Sequence, residues 1–113
     1  GAGVLHLPVG VFLHQHYLDE ISADDIGKAA AWHPKYLMRV FKRTLNMSLG
    51  EYLMRLRISH AQWLLIATDK STLEIAFDSG FQSVAPFYQA FRRITNGDSP
   101  LQFRKKALAG KEN

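Results

Sequence analysis

The chain contains a degenerate repeat of itself. The segment from Ile26 to Arg43, IGKAAAWHPKYLMRVFKR, returns as Ile75 to Arg93, IAFDSGFQSVAPFYQAFRR. Ile26 answers to Ile75, Trp32 to Phe81, Leu37 to Phe87, Phe41 to Phe91, and Lys42-Arg43 to Arg92-Arg93, at spacings of 49 to 50 residues. The correspondence continues from Ser48-Leu49-Gly50-Glu51-Tyr52 to Ser99-Pro100-Leu101-Gln102-Phe103. Each copy reads as a short helix, a tight turn and a second helix that ends in two bases. One such device used twice in 113 residues predicts an all-α chain built on a duplicated unit.

Helix start and stop signals fill in the remainder. Pro8 suits a first helical position, and Val9, Phe12, Leu13, His16 and Tyr17 follow at the spacing of an apolar stripe. Ser22 caps a short helix with Asp24 and Asp25 in its first turn and Ile26, Ala29 and Ala30 inward. Ala31-Trp32-His33 is its turn. An alanine in the left-handed position costs on the order of 1 kcal/mol, so a distorted first turn is expected. In a helix over Pro34 to Leu45, a step of about 100° per residue buries Leu37, Val40, Phe41, Thr44 and Leu45. It turns Lys35, Arg39 and Lys42 outward, with Met38 and Arg43 beside them. Ser48 and Glu51 form a capping box for the longest helix, Leu49 to Ala67, with Leu49, Tyr52, Leu53, Leu56, His60, Ala61, Leu64 and Leu65 as its apolar face.

Ser71 and Glu74 form another box, before a helix whose apolar positions are Leu73, Ile75, Ala76 and Phe77. Gly80 ends it in a left-handed cap, and Phe81 fills the corner. Ser83 is expected to cap the next helix, with Pro86 in its first turn. Phe87, Ala90, Phe91 and Ile94 face inward with Val84 at their edge. Ala85, Gln89 and Arg92 face outward, flanked by Tyr88 and Arg93. Ser99 and Gln102 form the last box, for a helix from Pro100 to Leu108 with Phe103 inward. The result is seven helices: a lead-in (1–8), a first subdomain (9–48), a linker helix (49–67), a second subdomain (68–108) and a frayed tail (109–113).

Charge is sorted along this plan. Residues 1–27 hold four acids and no Lys or Arg; residues 28–57 hold seven bases against one acid. Residues 58–80 are net acidic, and residues 81–106 hold five bases against one acid. Both basic blocks coincide with the repeat copies, which fits two patches for a polyanion. The absence of cysteine rules out disulfides and thiolate chemistry and fits a reducing, cytoplasmic setting. His14 and His16 lie about 200° apart on a helix and cannot share one metal ion. No nucleophile-base arrangement, paired carboxylates or glycine-rich phosphate loop is present, so neither an enzyme nor a cofactor is expected. No apolar run approaches the ~18 residues of a membrane span.

The chain resembles the DNA-binding domain of the AraC/XylS family of bacterial transcription regulators. The residues that carry the likeness are Gly80-Phe81, Ser83, Phe87, Ala90-Phe91-Arg92-Arg93, Ser99-Pro100 and Phe103-Arg104. In the first half they are Pro34, Leu37, Arg39, Phe41-Lys42, Ser48, Tyr52-Leu53, Leu56-Arg57, Ala61 and Leu64-Leu65. The resemblance implies two helix-turn-helix units joined by a long linker helix, each placing its second helix in a major groove of double-stranded DNA. The linker's span of roughly 28 Å is close to the ~34 Å between successive grooves.

By position, the resemblance makes Lys35, Met38 and Arg39 base-facing in the first unit, and Val84, Ala85, Tyr88 and Gln89 in the second. Arg39 suits guanine, Gln89 adenine, and Ala85 a thymine methyl. Lys42, Arg43, Arg92 and Arg93 suit phosphates, as do the helix N-termini at Ser22, Ser48, Ser71 and Ser99. The second reading helix, poor in side chains that reach bases, is expected to add affinity more than specificity.

Three departures from the family pattern stand out: Ala31 where glycine is usual, His33 in place of a Ser or Thr cap, and one extra residue near Thr95-Asn96-Gly97. RNA polymerase and a sensor or dimerisation domain outside this fragment are the further partners implied, with no membrane. The rival reading is a basic helical module that docks an anionic membrane or a partner protein without base specificity.

Overall fold

The computed structural model describes residues 8–112, seven helices and no strand among them. They are α1 (Pro8–His16), α2 (Ala23–Ala30), α3 (Pro34–Leu45), α4 (Leu49–Ala67), α5 (Thr72–Asp78), α6 (Val84–Ile94) and α7 (Pro100–Glu112). The chain divides into two compact units at Leu53/Met54, inside α4. α4 gives residues to both cores. Most of the lead-in lies outside the described residues. No described helix is long and apolar enough to cross a membrane.

The first unit packs Val9 and Leu13 of α1, Ile26 of α2, Leu37 and Phe41 of α3, and Leu49 and Leu53 of α4 into one core. The Tyr52 ring stands edge-on to Phe41 at 5.7 Å, and its hydroxyl lies 3.2 Å from His14 Nε2. The neighbouring His16 pairs with Asp19 at 3.0 Å. Ser22 and Asp25 cap α2 reciprocally: Ser22 N–H donates to the Asp25 carboxylate at 2.9 Å, and Asp25 N–H donates to Ser22 Oγ at 3.2 Å. The Ser22 N–H, and the Ser22 hydroxyl that also donates to this carboxylate, hold the Asp25 carboxyl below its ordinary value.

The second unit packs Ile58, Ala61, Leu64 and Leu65 of α4 against Ile75 and Ala76 of α5, Phe81, and Phe87, Ala90 and Phe91 of α6. Ile58, fully buried, is missing from the expected stripe on α4. The helix gives Leu49 and Leu53 to the first core and Ile58, Ala61, Leu64 and Leu65 to the second, so one continuous stripe does not describe it. Leu73 and Phe77, expected inward, are about half exposed at 52% and 49%. A seven-residue helix buries one narrow face, which Ile75 and Ala76 occupy.

α7 runs on to Glu112, past the expected end at Leu108. Arg104 ties it to α4. Its guanidinium donates to the carbonyls of Leu65 (2.9 Å), Thr68 (3.2 Å) and Lys70 (2.8 Å), beyond which the α4 ladder has no further N–H to offer.

Both helix-turn-helix corners close in the same way. Trp32 N–H donates to Gly27 O at 2.8 Å, and Phe81 N–H to Ala76 O at 3.2 Å, each across one left-handed residue. That residue is Ala31 at φ 59° in the first unit and Gly80 at φ 92° in the second. The first turn is thus strained but not distorted, contrary to expectation. Its glycine sits four positions earlier. A Cβ on Gly27 would lie 2.6 Å from Trp32 O, so only glycine lets the turn's backbone come this close.

At the other departures, His33 Nδ1 accepts the Lys35 N–H at 3.2 Å and so replaces a hydroxyl cap on α3. The extra residue after α6 is absorbed by Asn96 (φ 57°) and Gly97 (φ 99°), both left-handed. Ser83 occupies the N-cap of α6 but makes no side-chain cap bond. Its usual donor would be the third helical N–H, and that position is Pro86.

Exchanging glycines between the two sites tests this account. Ala31→Gly should stabilise the chain by about 0.5–1 kcal/mol by relieving the left-handed alanine. Gly27→Ala should destabilise it by about 1–3 kcal/mol through the clash with Trp32 O. Urea denaturation midpoints would check both signs.

The half-buried His60 yields a second test. Burial holds its ring below the ordinary value of 6.5, and nearby Lys70 acts in the same direction while Asp78 opposes it. The unfolded chain therefore takes up this proton first. The stability linked to His60 is complete above pH 6.5 and falls as pH drops below it towards the folded value. The expected outcome is that His60→Gln loses less stability than wild type between pH 8 and pH 5.5, read as the difference in urea midpoints.

Candidate nucleic-acid interface

In the first unit, α3 buries Leu37 and Phe41 completely and exposes Lys35, Met38, Arg39, Lys42 and Arg43. These two buried side chains anchor the underside, so the basic face has one orientation. Tyr36, which the sequence reading left out, joins that face at 48% exposure. Its ring stands edge-on to Trp32 at 5.2 Å, and the Arg39 guanidinium carbon lies 5.9 Å from the ring centroid. A cation over an aromatic face is held by the ring quadrupole, which restricts where Arg39 points.

The second unit repeats the plan on α6. Phe87 and Phe91 are fully buried, and Ala85, Tyr88, Gln89, Arg92 and Arg93 are exposed. Val84 is half-buried at the core edge, where the angular count put it and the family position did not. Gln89 stands between two open grooves. One, of about 280 Å³, is lined by Tyr88, Gln89 and Arg92; the other, of about 340 Å³, by Met54, Pro86, Gln89, Ala90 and Arg93. The Tyr88 hydroxyl lies 2.9 Å from Thr72 Oγ1, at the first residue of α5. Helical periodicity could not reveal that contact, because the two residues belong to different helices.

The cations differ in how they are paired. Lys70 meets Asp78 and Lys106 meets Asp98, each at 2.8 Å. Among the described residues, no carboxylate pairs with Lys35, Arg39, Lys42, Arg43 or Arg92. Helix N-termini differ as well. Ser22 and Ser71 carry a carboxylate in the cap itself, from Asp25 and Glu74. A phosphate there would meet a like charge, and the Ser22 N–H is already engaged. Ser48 Oγ accepts the Glu51 N–H at 3.0 Å, which also places an acid in that first turn. At Ser99 the box is neutral: Ser99 N–H donates to Gln102 Oε1 at 2.8 Å, and Gln102 N–H to Ser99 Oγ at 3.2 Å.

Comparison with known proteins agrees with this architecture. A helix-turn-helix domain model matches residues 26–106. The melibiose operon regulatory protein of Escherichia coli K12 is 34% identical over 94 residues, 83% of this chain and 31% of that protein. The chain thus spans about a third of that relative's length. A transcriptional regulator structure with an AraC-type DNA-binding domain, from Chromobacterium violaceum, superposes with TM-score 0.82 at 27% identity, covering 88% of each chain. The DNA-binding domain of AdpA, solved with a target DNA, shares the fold at TM-score 0.85 and 24% identity, covering 95% of this chain and 98% of that one.

The pairing contrast is testable on any sulfated polyanion. Lys42→Gln and Arg92→Gln should each elute from a heparin column at clearly lower salt than wild type. Lys106→Gln, whose cation already faces Asp98, should shift elution less.

Proposed function

This chain belongs to the AraC-type helix-turn-helix family of transcription regulators, and we propose that it binds double-stranded DNA sequence-specifically with α3 and α6 in successive major grooves. The observation that carries the reading is the repeated division of these two helices. Each has two core residues at zero exposure below and an exposed face carrying cations above, joined on α6 by the Gln89 amide. A protruding helix so divided fits the width of the major groove, where base edges are read.

Arg39 has the fork geometry for guanine O6 and N7, and Gln89 the amide pair for adenine N6 and N7. Lys35, Met38, Ala85 and Tyr88 complete the base-facing set. Lys42, Arg43, Arg92 and Arg93, with Ser48 and Ser99 at their helix starts, hold phosphates and set the register. The neutral box makes Ser99 the better supported of the two serines. The function proposed is binding, with no catalytic step. It belongs in a bacterial cytoplasm beside RNA polymerase, under the control of a sensor or dimerisation domain in a longer chain.

Selection of duplexes from a random library at near-physiological salt tests this. The expected product is an asymmetric motif with two parts about 10 base pairs apart. Binding that enriches no sequence and simply fades as salt rises would leave a basic module without specificity, and would favour a membrane or docking role. Arg39→Ala should lose about 1–3 kcal/mol on the selected site and relax one base position. Equal loss on every sequence would make Arg39 a phosphate contact.

A further inference from the structure

We propose that Thr72 is a positioning residue for base reading: its hydroxyl holds the Tyr88 phenol, so that the second unit presents a fixed aromatic ring to the methyl group of a thymine. The proposal rests on the DNA-reading function assigned to α6.

Tyr88 is tied at both ends. Its ring stands edge-on to the buried Phe87 at 5.6 Å, and its hydroxyl shares a hydrogen bond of 2.9 Å with Thr72 Oγ1. Thr72 is itself fixed, because the preceding Ser71 is the N-cap of α5 and its Oγ accepts the Glu74 N–H at 3.1 Å. With its hydroxyl engaged inside the unit, the phenol offers mainly its ring outward, as one wall of the groove it forms with Gln89 and Arg92. A pyrimidine methyl is the apolar feature of the major groove that such a wall fits, and it would lie beside the amide suited to adenine.

The first unit supplies an internal contrast. At the positions that correspond to Thr72 and Tyr88 it carries Ala23 and Met38. Neither has a hydroxyl, and Met38 is a flexible thioether at 52% exposure. The same scaffold thus carries an adaptable reader on α3 and a preset one on α6. A preset side chain has less freedom to lose on binding, which converts contact into discrimination.

The test is library selection and quantitative binding with wild type, Thr72→Val, Thr72→Ser, Tyr88→Phe and the double variant Thr72→Val/Tyr88→Phe. Thr72→Val and Tyr88→Phe should each weaken the preference at one base pair in the α6 half of the site by about two- to tenfold. The double variant should lose no more than either single, since both remove the same bond. Thr72→Ser should retain the preference. Preferences in the α3 half should not move in any variant, and the Thr72 variants should keep the wild-type affinity for non-specific DNA.

If Tyr88→Phe changes the preference and Thr72→Val does not, the Tyr88 hydroxyl reads the base itself and Thr72 has no positioning role. Lowered thermal midpoints with unchanged preferences would make the bond purely structural and overturn the proposal. A wild type that selects no sequence would instead sink the DNA-reading function on which the proposal stands.

Discussion

A helix that shows one face to a polyanion must be held by the other, and here the holding is done by aromatic and aliphatic side chains taken fully out of water. Leu37 and Phe41 under α3, and Phe87 and Phe91 under α6, have zero exposure. Burying side chains of this size is worth about 1.5–3 kcal/mol each. Two neighbours on one helical face also fix its rotation about its own axis. Phe91 is backed further by Phe103 at 5.7 Å, and Phe41 by Tyr52 at the same distance. Without this footing the exposed cations of α3 and α6 would sit on helices free to roll.

The second constraint is the turn that delivers each reading helix to its core. Both turns need one left-handed residue and one close backbone approach, and the two units satisfy these needs with different residues. The second unit has glycine at the left-handed site and alanine, Ala76, at the carbonyl that accepts the turn's bond. The first has the reverse, Ala31 and Gly27. Either arrangement closes the same bond, so one glycine per corner suffices. The strain left at Ala31 is on the order of 1 kcal/mol, small beside the burial of Ile26 and Leu37 on either side of the turn.

Most of this was legible in the sequence, because it is written in local periodicity and capping chemistry. The bounds of α3 and α4, the cap at Ser22, the box at Ser99 and the left-handed Gly80 follow from residue types a few positions apart. What escaped was set by contacts between elements. Ile58 is buried because α4 serves two cores, and no single-helix stripe contains it. Leu73 and Phe77 look like core residues by type but lie on the outer side of a helix too short to bury both faces. Ser83 has the identity of a cap and loses its bond to a proline three residues on. In the interface, the outward faces followed from angular counting. The Thr72–Tyr88 bond and the Tyr36–Arg39 contact did not, though setting the repeat copies side by side shows Thr72 and Tyr88 changing together against Ala23 and Met38.

Capping sets stability against binding at the helix starts. An acid in the first turn is favourable to a helix because it meets the positive end of the dipole, and α2, α4 and α5 all use one. The same acid weakens the attraction for a phosphate, as at Ser48 with Glu51. A cap that satisfies the orphan N–H groups without adding charge leaves that attraction whole. Gln102 does this for α7, whose first turn carries no acid. His33 and Ser83 begin the two reading helices without a carboxylate, and neither helix has an acid in its first turn. The acids are therefore concentrated on the supporting helices. The helix starts that would face the duplex keep their partial positive charge, so the charge pattern of the sequence is also a pattern of which helix ends are left open to an anion.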